Sequence, residues 1–292
     1  MIAGTRPQGA VAALLPGGRL HLQHGPIDIL AEAVGAWPAV RASHARAAAR
    51  FATILDELVA ELPALRSAGV AVTGDVARRM AAAVAPFRPA FVTPMAAVAG
   101  AVAEEVLAAL QGPGITRAYV NNGGDIALSL ASGERLTCAL AVTGGLDRVT
   151  IRHADPVRGI ATSGWRGRSF SFGIADAVTV LARTAAAADA AATAAQADAA
   201  ATMIANAVDL DHPGIGRRPA RGLQCDSDLG DRLVTFAVPV LSAVDRDRAL
   251  QSGFLAAEAF CQRGLIEGAA LFLQGECRMT GALALERGAA SD

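Results

Sequence analysis

The chain contains no lysine, so all 26 of its basic residues are arginine. They face 27 acidic residues, and the net charge of −1 leaves no basic excess that would favour nucleic acid as a partner. Aromatic residues make up only 4% of the chain, so the core has to be built from small aliphatic side chains in close backbone packing.

Cysteines and long apolar runs are also scarce. The four cysteines form no CxxC or other metal-ligand spacing, and we expect them to be buried apolar residues of a reducing compartment. The apolar run before Pro16 is too short for a signal peptide, and the uncharged stretch 89–103 is too short and too interrupted to cross a bilayer. The sequence therefore predicts a cytoplasmic protein that has no membrane partner.

The periodicity of apolar residues predicts a mixed α/β fold with mostly antiparallel strands and helices packed on them, in a single domain over residues 1–292. Residues 19–33 alternate around a Gly-Pro turn and predict a hairpin, whereas residues 39–68 have the spacing of one long amphipathic helix. Another helix is expected from Thr93 to Gly112, rich in small residues, and residues 211–231 are expected to form a long polar loop.

The first candidate site is the stretch VNNGGDI, residues 120–126. Gly123 and Gly124 have no Cβ and tolerate positive φ, so bare backbone at a strand end can contact a ligand, with the carboxylate of Asp125 at the rim. The alternative is an Asn-Gly hairpin turn with Asp125 on the surface.

The second candidate is ATSGWRGRSFSFG, residues 161–173. Thr162, Ser163 and Gly164 can donate hydroxyl and amide hydrogens to a phosphate, and Arg166 or Arg168 can neutralise its charge. The alternative is an ordinary Thr-Ser-Gly turn. No histidine or acidic residue occurs at a spacing from Ser163 that would indicate a catalytic base, so the sequence gives no support to a serine hydrolase.

The third candidate is a nine-residue unit that occurs twice, TAAAADAAA followed by TAAQADAAA, from residue 184 onward. On a helix, Asp189 shares a face with Thr193, and Asp198 shares a face with Thr202, because residues four apart are neighbours. Such pairs of oxygen ligands suit Mg²⁺, completed by water and phosphate. The alternative is a solvated helix with two surface aspartates.

The two copies of the unit cannot serve one metal ion. Nine residues rotate a helix by about 900° and advance it by about 13.5 Å, so the two aspartates face opposite ways. A site built where a strand passes into a helix is positioned from the strand, and this favours Asp189 with Thr193 over the second copy.

In this order the three stretches resemble the ApbE-like superfamily, which includes the FAD:protein FMN transferases. The pattern of that family runs N-x-G-G-D-I, T-S-G, V-T-V and A-D-A-x-A-T. The corresponding segments here are NNGGDI at 121–126, TSG at 162–164, VTV at 178–180, and ADAAAT at 188–193 and again at 197–202. The resemblance covers residues 93–208, and four motifs in the right order are more specific than any single one.

The resemblance implies a T-fold-like architecture with largely antiparallel strands, a flavin nucleotide such as FAD, and Mg²⁺ at its pyrophosphate. It places Asn122, Gly123, Gly124 and Asp125 near the nucleotide, together with the Thr-Ser-Gly segment. It also implies that the helical aspartate and the threonine that follows it hold the metal ion.

One departure from the family separates this chain from the transferases. Their H-x-I-D-P-x-T-G loop is replaced by WRGRSFSFGIADA, residues 165–177, so the chain is most similar to a compact branch of the superfamily. Asp176 is a candidate replacement for the aspartate of the loop. We expect a protein that acts on a flavin or similar nucleotide pyrophosphate with Mg²⁺, as a transferase or pyrophosphatase. The alternative is a binding protein without FMN transfer. The helices rich in small residues are compatible with a homodimer.

Overall fold

A computed structural model describes residues 9–142, 145–183 and 193–281. The first half of these residues contains β1 (Val11–Leu14), β2 (Leu20–His24), β3 (Ile27–Gly35), α1 (Trp37–Ala60), α2 (Leu62–Leu65), α3 (Asp75–Val84), α4 (Val98–Leu110), β4 (Ile115–Asn122) and β5 (Asp125–Leu130). The second half contains β6 (Arg135–Val142), β7 (Gly145–Arg152), β8 (Val157–Ser163), β9 (Ala177–Arg183), α5 (Thr193–Ala207), β10 (Gly216–Pro219), α6 (Ala220–Leu223), β11 (Leu233–Ala237), α7 (Ala243–Gln262), β12 (Gly268–Leu273) and β13 (Glu276–Gly281).

The largest sheet has nine strands in the order β1-β2-β3-β4-β5-β8-β9-β12-β13, and every neighbouring pair in it is antiparallel. Strands β2 and β3 alternate buried and more exposed side chains, as expected for a sheet with one covered face. Two further pairs, β6–β7 and β10–β11, stand outside this sheet. The predicted α/β class with largely antiparallel strands is confirmed.

Helices cover one face of the sheet and the β6–β7 hairpin covers part of the other. The main hydrophobic cluster joins the helices to the strands and includes Phe51, Leu110 and Ile204. A second, smaller cluster joins the hairpin to the sheet through Cys138, Val149 and Leu128. Because β12 lies among the strands covered on both sides, all six of its residues are buried.

Helices α4 and α5 pack unusually closely at their N-terminal ends, because glycine and alanine allow the two backbones to approach. A Cβ added to Gly100 would lie only 2.2 Å from the carbonyl oxygen of Ala194. Each helix also supplies a carboxylate to the other: Asp198 Oδ2 accepts the amide hydrogen of Gly100 at 3.1 Å, and Glu104 Oε1 accepts that of Ala195 at 3.0 Å. The two helices therefore cap each other.

The structure differs from the sequence-based expectations in two elements. The helix expected over residues 39–68 ends at Ala60 and restarts at Leu62, because Pro63 has no amide hydrogen and its ring would clash with the preceding turn of an unbroken helix. The polar loop expected over residues 211–231 contains β10 and α6, so that expectation was wrong for these segments.

The cysteines only partly follow the expectation of burial. Cys138 is buried and Cys261 is half-buried, whereas Cys225 and Cys277 are exposed, so the prediction was wrong for these two. Within the described ranges, no helix has both the length and the apolar character that crossing a membrane would require.

Candidate functional site

A cavity of about 700 Å³ lies between the β4–β5 turn, the end of β8 and the face of α5. This volume falls in the range of small-molecule sites. The three sequence motifs meet here. Among the motif residues that line the cavity are Asn122, Gly123, Asp125, Thr162, Ser163, Gly164, Asp198 and Thr202.

The glycine-rich motif forms a tight hairpin turn, and its carboxylate points inward. Gly123 and Gly124 have φ angles of 69° and 115°, which explains why glycine occupies both positions. Their turn is closed by the amide of Gly124, which donates to Asn121 Oδ1 at 2.8 Å. The expected hairpin turn is present, but Asp125 is only 8% exposed rather than on the surface. Asn122, its cross-strand partner, donates its side-chain amide to Ala99 O at 3.1 Å.

Asp125 and Asp198 form a buried pair of carboxyl groups that interact electrostatically. Burial raises the pKa of Asp125 to about 7, and the amide hydrogen that Thr162 donates to it at 3.2 Å partly offsets this rise. Burial also raises the pKa of Asp198 well above its usual value, and the charge of Asp125 adds to that rise. Two such groups favour a bound proton or a bound cation at neutral pH.

Hydroxyl groups surround this carboxyl pair. The hydroxyls of Ser163 and Thr202 lie 3.0 Å apart, and those of Thr162 and Thr179 lie 2.9 Å apart. Ser163 and Thr202 belong to β8 and α5, so their contact joins the sheet to the helix at the cavity wall. Thr202 and Asp198, which the sequence analysis grouped on one helix face, both line the cavity, whereas Thr179 of the VTV motif is buried behind the site.

The second copy of the repeat provides the cavity face of α5. Asp198, Thr202 and Asn206 follow one another at intervals of four residues, and all three line the cavity. Asp189 lies outside the described residues, and Thr193 is the first residue of α5, with a side chain that is not described. The preference for the first copy stays a prediction that the described residues do not test.

The two arginines of the second motif have different positions. Arg168 lines the cavity beside the backbone of Gly123, where its guanidinium can meet an anion. Arg166 instead lies 3.4 Å from Asp176 and against the ring of Trp165. The carboxylate of Asp176 also accepts the indole hydrogen of Trp165 at 3.3 Å, so these contacts hold it beside β9.

Two parts of the cavity wall were not predicted from the sequence. One is apolar and comes from α1, α2 and the residues before α4: Leu55, Leu58, Leu62, Phe91, Val92 and Met95. The other is the segment 224–229, which lies in the stretch that the sequence predicted only as a polar loop. Asp226 pairs with Arg66 at 2.8 Å, and Asp228 accepts the hydroxyl of Thr93 at 2.5 Å. Loop composition alone could not reveal these long-range contacts.

The oxygen donors of the cavity fit Mg²⁺ better than a soft metal ion. Among the described residues, no group of three or more His, Cys, Asp or Glu side chains forms a protein-only metal cage. Mg²⁺ is commonly held by one or two carboxylates and completed by water and substrate phosphate. Asp125 and Asp198 supply that number of carboxylates, and the hydroxyl of Thr202 adds a further oxygen.

Comparisons with known proteins cover most of the chain. The family model described as "AbpE bacteria" matches residues 12–195 and 193–279. A UPF0280 protein of Methanopyrus kandleri is 38% identical over 204 residues, which represent 68% of this chain and 77% of that protein.

Two further relatives match a shorter segment. UPF0280 proteins of Methanospirillum hungatei and Methanothermobacter thermautotrophicus are 42% and 41% identical over 119 and 108 residues, or 40% and 35% of this chain. The chain spans about half the length of these two proteins, 48% and 41%.

Proposed function

This chain belongs to the family described as "AbpE bacteria", together with the UPF0280 proteins, and on that premise we propose that it binds a flavin nucleotide such as FAD, or a similar nucleotide pyrophosphate, with Mg²⁺ in the cavity beside α5. The names of its relatives assign no activity. The ligand class therefore rests on the resemblance of the four motifs to the FMN transferases and on the chemistry of the cavity.

The observation that carries the proposal is the buried pair Asp125 and Asp198 at the wall of a cavity of about 700 Å³. Two buried carboxylates are poorly solvated and repel each other, so keeping both of them charged is unfavourable in free energy. A divalent cation between them and a ligand phosphate removes that cost. The carboxyl pair therefore favours the binding of a metal ion together with an anionic ligand.

Each polar group of the wall has a task in this proposal. Asp125 and Asp198 hold the cation, and the Thr202 hydroxyl adds a ligand to it on the same face of α5. Arg168 and the exposed Thr162 hydrogen-bond to phosphate oxygens that turn away from the metal. When bound, Mg²⁺ supplies positive charge that stabilises the charge developing on a transferred phosphoryl group.

Two activities are consistent with this arrangement. One is cleavage of the pyrophosphate of FAD: attack by water gives AMP and FMN, whereas attack by an acceptor hydroxyl gives AMP and an acceptor that carries FMN as a phosphodiester. The other is binding without turnover, and the replacement of the transferase loop by residues 165–177 favours it, because that segment contains no histidine and its Asp176 is engaged by Trp165 and Arg166.

Calorimetry with FAD, in the presence and absence of Mg²⁺, tests the binding proposal directly. We expect Mg²⁺-dependent binding that Asp198→Asn weakens by at least about tenfold, since the substitution removes a metal-ligand charge. Asp247→Asn is the matched control, because Asp247 lies on α7 outside the cavity and pairs with Arg278 of β13. A wild-type protein that binds no FAD under either condition would overturn the proposal.

Chromatography of the same mixtures separates the two activities. AMP and FMN that accumulate with wild type but not with Asp198→Asn support a pyrophosphatase, whereas AMP together with FMN bound covalently to an acceptor hydroxyl supports a transferase. FAD that binds and is recovered intact supports the binding protein instead.

A further inference from the structure

Three of the nine phenylalanines of the chain line one cavity, although aromatic residues make up only 4% of the sequence. They are Phe91, Phe170 and Phe172, and all three are half-buried. Of the described residues in the two hydrophobic clusters, none is one of these phenylalanines. Their rings therefore do not serve the core in the way that the buried Phe51 does, and they present apolar surface to the cavity instead.

The aromatic rings and the carboxyl pair contact different parts of α5. The backbone amide of Phe172 donates to Asn206 Oδ1 at 2.9 Å, and this bond fixes Phe172 beside the C-terminal half of α5. Asn206 follows Asp198 by eight residues, which corresponds to about 12 Å along the helix axis. The cavity thus has a carboxylate end and an aromatic end, with Thr202 between them.

The aromatic end is organised by contacts from two other segments. The ring centroids of Phe91 and Phe172 are 6.4 Å apart with an interplanar angle of 50°. The guanidinium carbon of Arg232 lies 3.4 Å from the centroid of Phe91. Arg232 therefore covers one face of Phe91 by a cation–π contact, and the rest of the ring surface is left to Phe172 and the cavity.

We propose that the end of the cavity formed by Phe91 and Phe172 binds a planar aromatic ring of the ligand by stacking. This inference rests on the proposed function, which places the phosphates of the ligand at the carboxylate end. It adds the position that binds the aromatic ring of the ligand. A nucleotide, whose ring and phosphate are joined by a sugar or sugar-alcohol chain, can reach both ends. Inorganic pyrophosphate can reach only the carboxylate end.

The test compares FAD with inorganic pyrophosphate, each with Mg²⁺, by calorimetry on Phe172→Leu and Phe91→Leu. Leucine keeps an apolar side chain but removes the stacking surface, so FAD affinity should fall by at least about fivefold. Affinity for pyrophosphate should be unchanged, because that ligand has no ring. Phe172→Tyr keeps a ring and should retain most of the FAD affinity.

Phe254→Leu is the matched control, since Phe254 is also half-buried near an arginine, Arg278, but lies on α7 outside the cavity. It should change neither affinity. FMN and ADP, used as separate probes, show whether the flavin or the adenine ring occupies the site: the variants weaken the one that stacks.

The outcomes separate the two proposals. Equal losses for FAD and pyrophosphate in the leucine variants, or equal losses in Phe172→Leu and Phe172→Tyr, would overturn the ring site while leaving the proposed function standing. A wild-type protein that binds neither probe overturns both.

Discussion

At the scale of single residues, the carboxyl pair makes the stability of the protein depend on pH. The folded protein holds the proton of Asp125 up to a pKa of about 7, whereas the group has an ordinary value of 3.8 in the unfolded chain. The favourable contribution of this proton is complete below pH 3.8 and is lost as the pH rises to about 7. The raised pKa of Asp198 acts in the same direction.

Replacing Asp198 with Asn should reduce this dependence, because Asp125 then has no neighbouring charge to repel it at that position. The quantity to compare is the free energy of unfolding of the variant minus that of wild type. Without divalent cations, we expect this difference to be about 1–3 kcal/mol larger at pH 8 than at pH 5. Urea unfolding of both proteins at pH 5 and pH 8, with a chelator present, measures this difference in the free energy of unfolding. A difference that is the same at both pH values would show that the pKa of Asp198 is not raised in the folded protein.

The turn before Asp125 could be predicted from the sequence, whereas the burial of Asp125 could not. The Asn-Gly-Gly spacing predicts the turn, because positive φ is a local requirement of the chain. Whether the next side chain faces water depends on α4 and α5, which belong to distant segments. The choice between Asp189 and Asp198 is similar: the two copies are nearly identical in sequence, so only the position of the folded helix can distinguish them.

At the scale of elements, the close contact of α4 and α5 positions the carboxyl pair. Asp198 accepts an amide hydrogen from the first turn of α4, and Asn122 donates to the carbonyl of Ala99 in the same turn. The sheet, α4 and α5 are thus joined at one point. Movement of either helix would displace Asp198 from Asp125.

Gly100→Ala should separate the two helices. The added methyl group would lie 2.2 Å from Ala194 O and 2.6 Å from Ala195 N, and both are backbone atoms that cannot turn aside. We expect a loss of about 2–3 kcal/mol in the free energy of unfolding, as for other overpacked sites, and weaker Mg²⁺-dependent binding.

Gly222→Ala is the control for this substitution, because a Cβ at Gly222 would meet no atom within 4 Å. Thermal unfolding of the two variants measures the difference. Equal melting temperatures would contradict the inferred close packing of α4 and α5.

Local patterns predicted the hairpin β2–β3 and the helix after Thr93. They failed where the structure is decided by contacts between distant segments. Strand β10 is one example: it pairs with β11, in which the amide of Thr235 donates to Ser171 O at 2.9 Å. That bond attaches the pair to the segment before β9, which no local periodicity could show.

At the scale of the whole molecule, the cavity is bounded by segments from both ends of the chain. The segment 224–229 contacts another part of the cavity wall through Arg66–Asp226 and Thr93–Asp228. These contacts cross the cavity boundary, so they resist separation of its two walls. Their effect should therefore be greater on ligand exchange than on stability.

Arg66→Ala tests this difference. Arg66 and Asp226 both remain partly exposed, at 31% and 56%, and such pairs contribute about 0–1 kcal/mol to folding. We expect little change in melting temperature but a ligand dissociation rate that is several times faster in stopped-flow measurements. Arg78→Ala, which removes the exposed pair with Asp75 outside the cavity, should leave the rate unchanged. Equal rates in both variants would show that segment 224–229 does not retain the ligand.

The exposure of Cys225 gives the protein an internal chemical reporter. It lies between Gln224 and Asp226, which both line the cavity, whereas the other exposed thiol, Cys277, lies on the edge strand β13. Cys138 is slow to react because burial raises its pKa to about 11. Bound ligand should therefore slow maleimide modification of Cys225 relative to Cys277, as measured by peptide mass spectrometry on the unaltered chain. Occupancy of the cavity can thus be followed without a substitution or a label on the ligand, even for ligands that absorb no light.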